Sequence, residues 1–142
     1  MARKPKIGVL VMALLEDDYN KTAHMRPAAT AAAQEIANAI AAYGDVVHAG
    51  LVEEEAQAAA AARLFNAEDV DVIVALELAY TKGLVPARCL LDTTAPVLVW
   101  NTQMISRLGE GDGFDVVMLN SGMAGMDSLP RDVNGPSGEG PP

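Results

Sequence analysis

Short, unbroken apolar runs alternate along the chain with polar turns and with longer stretches of helical period. Lys6–Met12 (KIGVLVM) is the first such run; without polar alternation it predicts a strand buried on both faces, as in a parallel sheet. Pro27 suits the first turn of a helix, where its missing N–H costs nothing. Ala28–Tyr43 then sets Ile36, Ile40 and Tyr43 at i, i+4, i+7, and Gly44 is the stop signal. Asp45–Val52 (DVVHAGLV) is predicted as the second strand. Glu53, Glu54 and Glu55 put carboxylates at the positive end of the next helix, which closes at Leu64 and Phe65 before the turn Asn66–Asp69. Val70–Leu78 (VDVIVALEL), dense in β-branched residues, is the strongest strand signal. Leu84–Leu91 reads as a short helix with Pro86 in its first turn. Pro96–Trp100 (PVLVW) reads as a fourth strand with its proline at the tolerated first position. Phe114–Leu119 (FDVVML) stays open between a fifth short strand and a loop.

The order β-α-β-α-β-α-β predicts right-handed crossovers and an α/β fold: a three-layer, flavodoxin-like (Rossmann-like) parallel sheet with helices on both faces. With 142 residues, one domain with a real core is expected, over residues 1–126. Residues 127–142 hold four prolines and three glycines with no apolar period, and are expected to be a disordered tail. Hydrophobic residues make up 51% but aromatics only 4%, so alanine dominates the apolar fraction. That balance favours small-residue helices lying close on a sheet.

A net charge of −9 argues against nucleic acid as a partner, because that footprint needs clustered Lys and Arg. The one basic cluster, Arg3, Lys4 and Lys6, reads as a solubilising lead-in to a buried strand. Ile7–Leu15 is broken at once by Glu16, Asp17 and Asp18 with no small-residue cleavage pattern, so a strand explains it better than a signal peptide. No apolar stretch has the length of a membrane span. Cys89 is the sole cysteine, which precludes an internal disulfide and makes a reducing cytoplasm the expected compartment.

In an open parallel sheet, ligands gather beyond the carboxyl ends of the strands. That rule selects Ala13–Lys21, Glu77–Lys82 and Asn101–Met104, which carry Glu16, Asp17, Asp18, Tyr19, Glu77, Tyr80, Thr81, Lys82, Asn101, Thr102 and Gln103. Carboxylates, amides and an aromatic face suit a polyol or sugar; the plainer explanation is that loops are polar. A dinucleotide site would need GxGxxG after the first strand, and neither it nor a Walker A sequence occurs. Leu14–Asp18 (LLEDD) would repel a flavin phosphate. A phospho-accepting aspartate is missing at the end of the third strand, where Glu77 is the nearest acid. His24 and His48 have no histidine partner at i+4: His48 reads as a packed core residue, and His24, near Asp17 and Asp18, as a capping or solvent group rather than part of a weak divalent site. Cys89, among Leu84, Val85, Leu90 and Leu91, reads as a buried inert thiol.

Pro96–Met104 (PVLVWNTQM), a spacer ending in Gly113–Phe114–Asp115, and Met118–Gly125 (MLNSGMAG) resemble a stretch of the arabinose isomerases: strand, -HTQF-, acidic spacer, -LNQTAHG-. Lys6–Met12 with Tyr19 resembles that family's opening strand and its glutamine- and tyrosine-bearing loop. Val72–Thr81 (VIVALELAYT) resembles its strand ending in an aromatic residue. The resemblance, to the amino-terminal domain of the L-arabinose/L-fucose isomerase family, covers roughly residues 5 to 126 and rests on the order of the matches. It implies an aldose–ketose isomerase working through an enediol on a divalent metal, typically Mn2+, whose Glu, Asp and His ligands come from later domains. The amino-terminal domain then builds homo-oligomers and reaches the sugar with its strand-end loops. By position, Tyr19 matches the loop tyrosine, Tyr80 the aromatic substrate contact, Thr102 and Gln103 the -TQ- pair, and Leu119 and Asn120 the -LN- pair.

Together the two lines of argument give an expected substrate-binding set of Glu16, Asp18, Tyr19, Glu77, Tyr80, Thr81, Asn101, Thr102, Gln103 and Asn120, with no catalytic or metal-binding residue in this chain. Asn101 stands where the family has histidine before -TQ-, Ala124 replaces the histidine of -AHG-, and Glu16–Asp18 replaces a neutral loop. Those departures leave the sugar, or a sugar acid, open. The family continues into two further domains, so the expected protein is a truncated or frame-altered isomerase, inactive alone. The alternative is a non-catalytic sugar-binding or sensor module of the periplasmic-binding-protein type; a racemase-like or flavin enzyme lacks its paired cysteines or phosphate loop.

Overall fold

The apolar run Lys6–Met12 forms the inner strand β1, and Val9 to Met12 are wholly buried. Burial on both faces requires a strand on each side and a layer above and below. The computed structural model describes residues 3–15, 23–82, 84–103 and 105–122. Within them, β1 lies between β2 (Asp45–Val52) and β3 (Val72–Glu77), and β4 (Val97–Val99) follows β3, giving an all-parallel sheet of order β2-β1-β3-β4. This is the three-layer, flavodoxin-like α/β fold. The expected tail, residues 127–142, and the domain boundary at 126 lie outside the described residues.

Alternation along the strands sorts the core into two layers. Ile7, Val9 and Val11 of β1 and Val74 and Leu76 of β3 meet α1 (Arg26–Ile40) through Ala29, Ala32, Ala33, Ala37 and Ile40. On the other face, Leu10, Met12, Ile73 and Ala75 meet α2 (Glu55–Ala67) and α3 (Leu84–Leu91). Alanine stripes let the helices approach closely, and one large group fills the gap on the second face. Gly8 admits it: a Cβ there would stand 3.0 Å from Phe65 Cδ1. At the start of α2, the Gln57 side-chain oxygen accepts from the Glu53 and Glu54 backbone N–H groups at 2.7 and 3.0 Å, satisfying donors ahead of the helix.

Several sequence expectations change: α1 opens at Arg26, α2 runs on through Ala67 into the expected turn, and the third and fourth strands shorten to Val72–Glu77 and Val97–Val99. α1 ends at Ile40, so Tyr43 leaves the helical stripe and is 78% exposed in the turn before β2. Phe114–Leu119 is neither strand nor loop but the short helix α4. No strand of the sheet pairs with it, so the β-branched pair Val116–Val117 has no ladder to join, and Val117 N–H instead bonds to the Gly113 carbonyl at 3.3 Å. The basic lead-in is a clamp as well as a solubiliser. The Asp71 carboxylate accepts from Arg3 at 2.6 and 2.9 Å and from the Lys6 N–H at 2.7 Å. The Lys6 bond first, then Arg3, holds its pKa below the ordinary carboxylate value. No helix of the described residues is long and apolar enough to cross a membrane.

β2 carries a bulge. Val9 pairs with His48 but Val11 with Leu51, and the extra residue is absorbed at Gly50, whose φ of 80° suits glycine. His48, half-buried beside Val9, has an Nε2 atom shielded from solvent and with no hydrogen-bond partner among the described residues. Burial lowers its pKa below the ordinary 6.5. The unfolded chain therefore binds a proton at His48 before the folded one does. The resulting stabilisation is complete above pH 6.5 and is lost as pH falls through the folded value. Denaturant unfolding at pH 7.5 and pH 5 is expected to show this loss, and His48→Leu is expected to shrink it. An equal loss in both proteins would place the titration elsewhere.

Candidate functional site at the carboxyl ends of the strands

β1, β3 and β4 all deliver their carboxyl ends to one rim, as parallel strands must. At the first, Ala13–Leu15 continue the buried run, and Ala13 N–H bonds to the Val52 carbonyl at 3.1 Å. Arg26, opening α1, pins the end of that run. Its guanidinium holds the Glu53 carboxylate at 2.8 and 3.2 Å and donates to the Leu15 carbonyl at 2.5 Å. This charge-assisted fork ties the exit of β1 to the exit of β2. Glu16, Asp18 and Tyr19, the expected contacts in this loop, lie outside the described residues.

The exit of β3 is the most built part of the rim. Leu78 N–H bonds to the Met12 carbonyl at 2.8 Å, so the chain stays in register one residue past the strand. Glu77 and Thr81 are only 1% and 2% exposed, and the Thr81 hydroxyl donates to Glu77 Oε1 at 2.8 Å. A carboxyl group so far from water is tolerated only where its oxygens find donors. Tyr80, between them in sequence, is exposed. Its backbone N–H donates to Ser121 Oγ at 3.1 Å, and that hydroxyl in turn donates to the Met118 carbonyl.

A turn after α4 thus closes over the end of β3, and Gly122 allows it. A Cβ at 122 would stand 1.9 Å from the Glu77 carbonyl oxygen. Asn120 anchors the same turn from the other side: its Oδ1 accepts from Ile105 N–H at 3.2 Å and its Nδ2 donates to the Ile105 carbonyl at 3.5 Å. As placed, the Asn120 amide faces backbone rather than open solvent.

Past β4, Trp100 N–H still pairs with the Ala75 carbonyl at 2.9 Å, and Asn101 and Gln103 are exposed. Trp100, Thr102 and Gln103 face Ala32, Glu35, Ile36 and Ala39 of α1 across a shallow open groove of about 280 Å³. The expected residues therefore divide. Glu77 and Thr81 form a buried pair, Tyr80, Asn101 and Gln103 are open at the rim, Thr102 and Gln103 line the groove, and Asn120 braces the loop.

No protein-family model matches the chain, and no curated protein matches it significantly.

Arg26, Glu35, Ser121 and Gly122 carry no clear signal of a site in the sequence. Glu35 looks like one more polar position on a solvated helix face, and Arg26 like the charge ahead of a helix. Ser121 and Gly122 sat inside MLNSGMAG, but only a structure reveals that the glycine touches β3. The remaining titratable candidates have local roles. His24 Nε2 lies 3.4 Å from Asp115 Oδ2 with both groups largely exposed. Cys89 is fully buried, and desolvation, then the Asp92 charge, pushes its thiol up to about 12, so it is no nucleophile. Among the described residues no three His, Cys, Asp or Glu side chains converge on a common point, so these residues alone offer no manganese ligand set.

Chemically, the rim offers an exposed phenol ring and two side-chain amides, backed by a rigid buried pair. Such groups accept and donate to hydroxyls and stack on the apolar face of a ring or chain.

Proposed function

We propose that this chain is the sugar-contacting, self-associating amino-terminal type of domain of a cytoplasmic metal-dependent aldose–ketose isomerase, similar to the L-arabinose and L-fucose isomerases, and that it is not catalytic alone. One observation carries the reading: exposed Tyr80, Asn101 and Gln103 follow the ends of the adjacent strands β3 and β4, with the buried Glu77–Thr81 pair holding the β3 exit beneath them. Tyr80 stacks on the sugar, Asn101, Thr102 and Gln103 read its hydroxyls, and Glu77, Thr81 and Asn120 keep the two loops in place. Glu16, Asp18 and Tyr19 complete the contact set from the β1 loop. In the isomerases that this chain resembles, Mn2+, its ligands and the general base belong to other domains.

An NMR titration of the labelled protein with L-arabinose and L-fucose tests this. Saturable shifts at the Tyr80, Asn101 and Gln103 amides are expected, with a Kd of about 1 mM or weaker, equivalent to about −4 kcal/mol. Tyr80→Ala should weaken binding about tenfold, the scale of one lost contact of about 1.4 kcal/mol. No turnover is expected with either sugar and manganese. Shifts spread evenly over the surface, or clear turnover by the purified chain, would overturn the corresponding half of the proposal.

A further inference from the structure

We propose that His48 is a proton-operated latch: when its ring takes up a proton, the piece of β2 beyond the Gly50 bulge releases β1, and both strand exits loosen at the rim. His48 stands just before the bulge, paired with Val9, and the register resumes only at Leu51 and Val52. By strand alternation its ring shares a sheet face with Val46, which packs on the core layer between β1 and α1. Its Nε2 atom is shielded from solvent and has no hydrogen-bond partner among the described residues. A neutral ring tolerates this by keeping its one N–H on Nδ1. A charged ring does not, because both nitrogens are then donors and the Nε2 N–H is buried with nothing to accept it.

The piece of β2 past the bulge is small. The register pairs Val11–Leu51 and Met12–Val52, with the bond from Ala13 N–H to the Val52 carbonyl at 3.1 Å, hold it to β1. Gly50, at a φ of 80°, is the hinge, since a residue without a Cβ leaves that conformation at little cost. Glu53 follows, and its carboxylate holds the Arg26 guanidinium at 2.8 and 3.2 Å. Arg26 in turn donates to the Leu15 carbonyl at 2.5 Å. Movement of Leu51 and Val52 therefore reaches the exit of β1 by two routes, directly at Ala13 and through the Arg26 fork at Leu15.

The charged groups on the elements packed around β2 are engaged elsewhere. On its own strand Asp45 is exposed at the start, and Glu53, just past the end, is taken by Arg26. The one charged residue of β1, Lys6, pairs with Glu68. α1 carries Arg26, already bound, and Glu35, which lines the groove toward Trp100 on the β4 side. α2 packs on the opposite face of the sheet, so the strand itself separates its Glu55 and Arg63 from the ring. Burial is what lowers the His48 pKa from 6.5. The released form therefore takes the proton first: the latch is closed above pH 6.5 and opens as pH falls through the folded value.

The latch needs no sugar, so it and the proposed function can fail separately. Amide hydrogen exchange of the whole chain at pH 7.5 and pH 5.5, read as protection factors, tests it. Protection of the Ala13 amide is expected to fall at pH 5.5 by up to about tenfold, the ceiling for one unit below the ordinary histidine value. The Arg26 Nε N–H, bonded to Glu53, should lose protection with it. In low urea the Ala13 opening should stay almost independent of denaturant, as a local release does, whereas Ile73 in β3 should follow the steep slope of global unfolding. His48→Leu should hold Ala13 protection equal at the two pH values, and His48→Gln, which keeps a polar ring-sized group without the titration, should do the same. Equal Ala13 protection at both pH values in the parent, an undiminished loss in both variants, or an Ala13 urea slope matching that of Ile73 overturns the proposal. Loss at Ala13 with none at Arg26 overturns the route through the fork.

Discussion

Phe65→Ala is expected to cost about 3–5 kcal/mol of folding stability, the usual range for deleting a buried aromatic ring. Against a total of about 5–15 kcal/mol for a domain, that removes a large fraction of the stability. The ring is 1% exposed and lies over β1 in a layer with Leu10, Met12, Val52 and Ile73. Its helix neighbours Ala58, Ala61 and Ala62 are too small to swing into the space it leaves, and β1 is pinned on both sides. The cavity would stay open, which places the cost toward the upper end of the range. Urea unfolding should show a lower midpoint with an unchanged slope, and Phe65→Leu should recover more than half the loss. A midpoint shift worth less than about 1 kcal/mol would mean that the second core layer is organised around some other group.

The same contrast explains what the sequence made legible. The limits of KIGVLVM are legible because an apolar run between charged or polar neighbours has one sensible reading in a parallel sheet, and those of DVVHAGLV because Gly44 and the Glu53–Glu55 run bracket it. Helix ends were looser. Tyr43 fitted the period of α1, but Gly44 must press against the Pro5 carbonyl, where a Cβ would stand 2.4 Å away, and the chain leaves the helix early to get there. FDVVML was ambiguous because a short β-branched segment becomes a strand only when a neighbour offers a ladder, and that is a tertiary fact. The rim was legible in outline, since strand order alone sends Glu77–Lys82 and Asn101–Gln103 to one end. Exposure was not: nothing in ELAYT says that Glu77 and Thr81 turn inward while Tyr80 faces out.

Replacing Gly122 with alanine is expected to undo the rim while sparing the core. The new Cβ would stand 1.9 Å from the Glu77 carbonyl oxygen and 2.6 Å from its carbon, both backbone atoms. Glu77 cannot yield, because β3 pairs with β1 through Glu77 itself and the Leu78 N–H is bonded to the Met12 carbonyl. The turn after α4 must lift instead. Lifting it breaks the Tyr80 N–H bond to Ser121 and loosens the Asn120 brace on Ile105. Each net hydrogen bond is worth about 0.5–1.5 kcal/mol, so local opening at Tyr80 and Ile105 should become about two- to tenfold more frequent. Amide hydrogen exchange should therefore accelerate at those two residues and hold steady at Val9 and Ile73. If the proposed sugar site is correct, arabinose or fucose affinity should fall by a similar factor, with the urea midpoint almost unmoved. Unchanged Tyr80 protection would show that the turn does not close over β3. Faster exchange with undiminished sugar binding would separate the turn from the site and leave Asn101 and Gln103 as the contacts that matter.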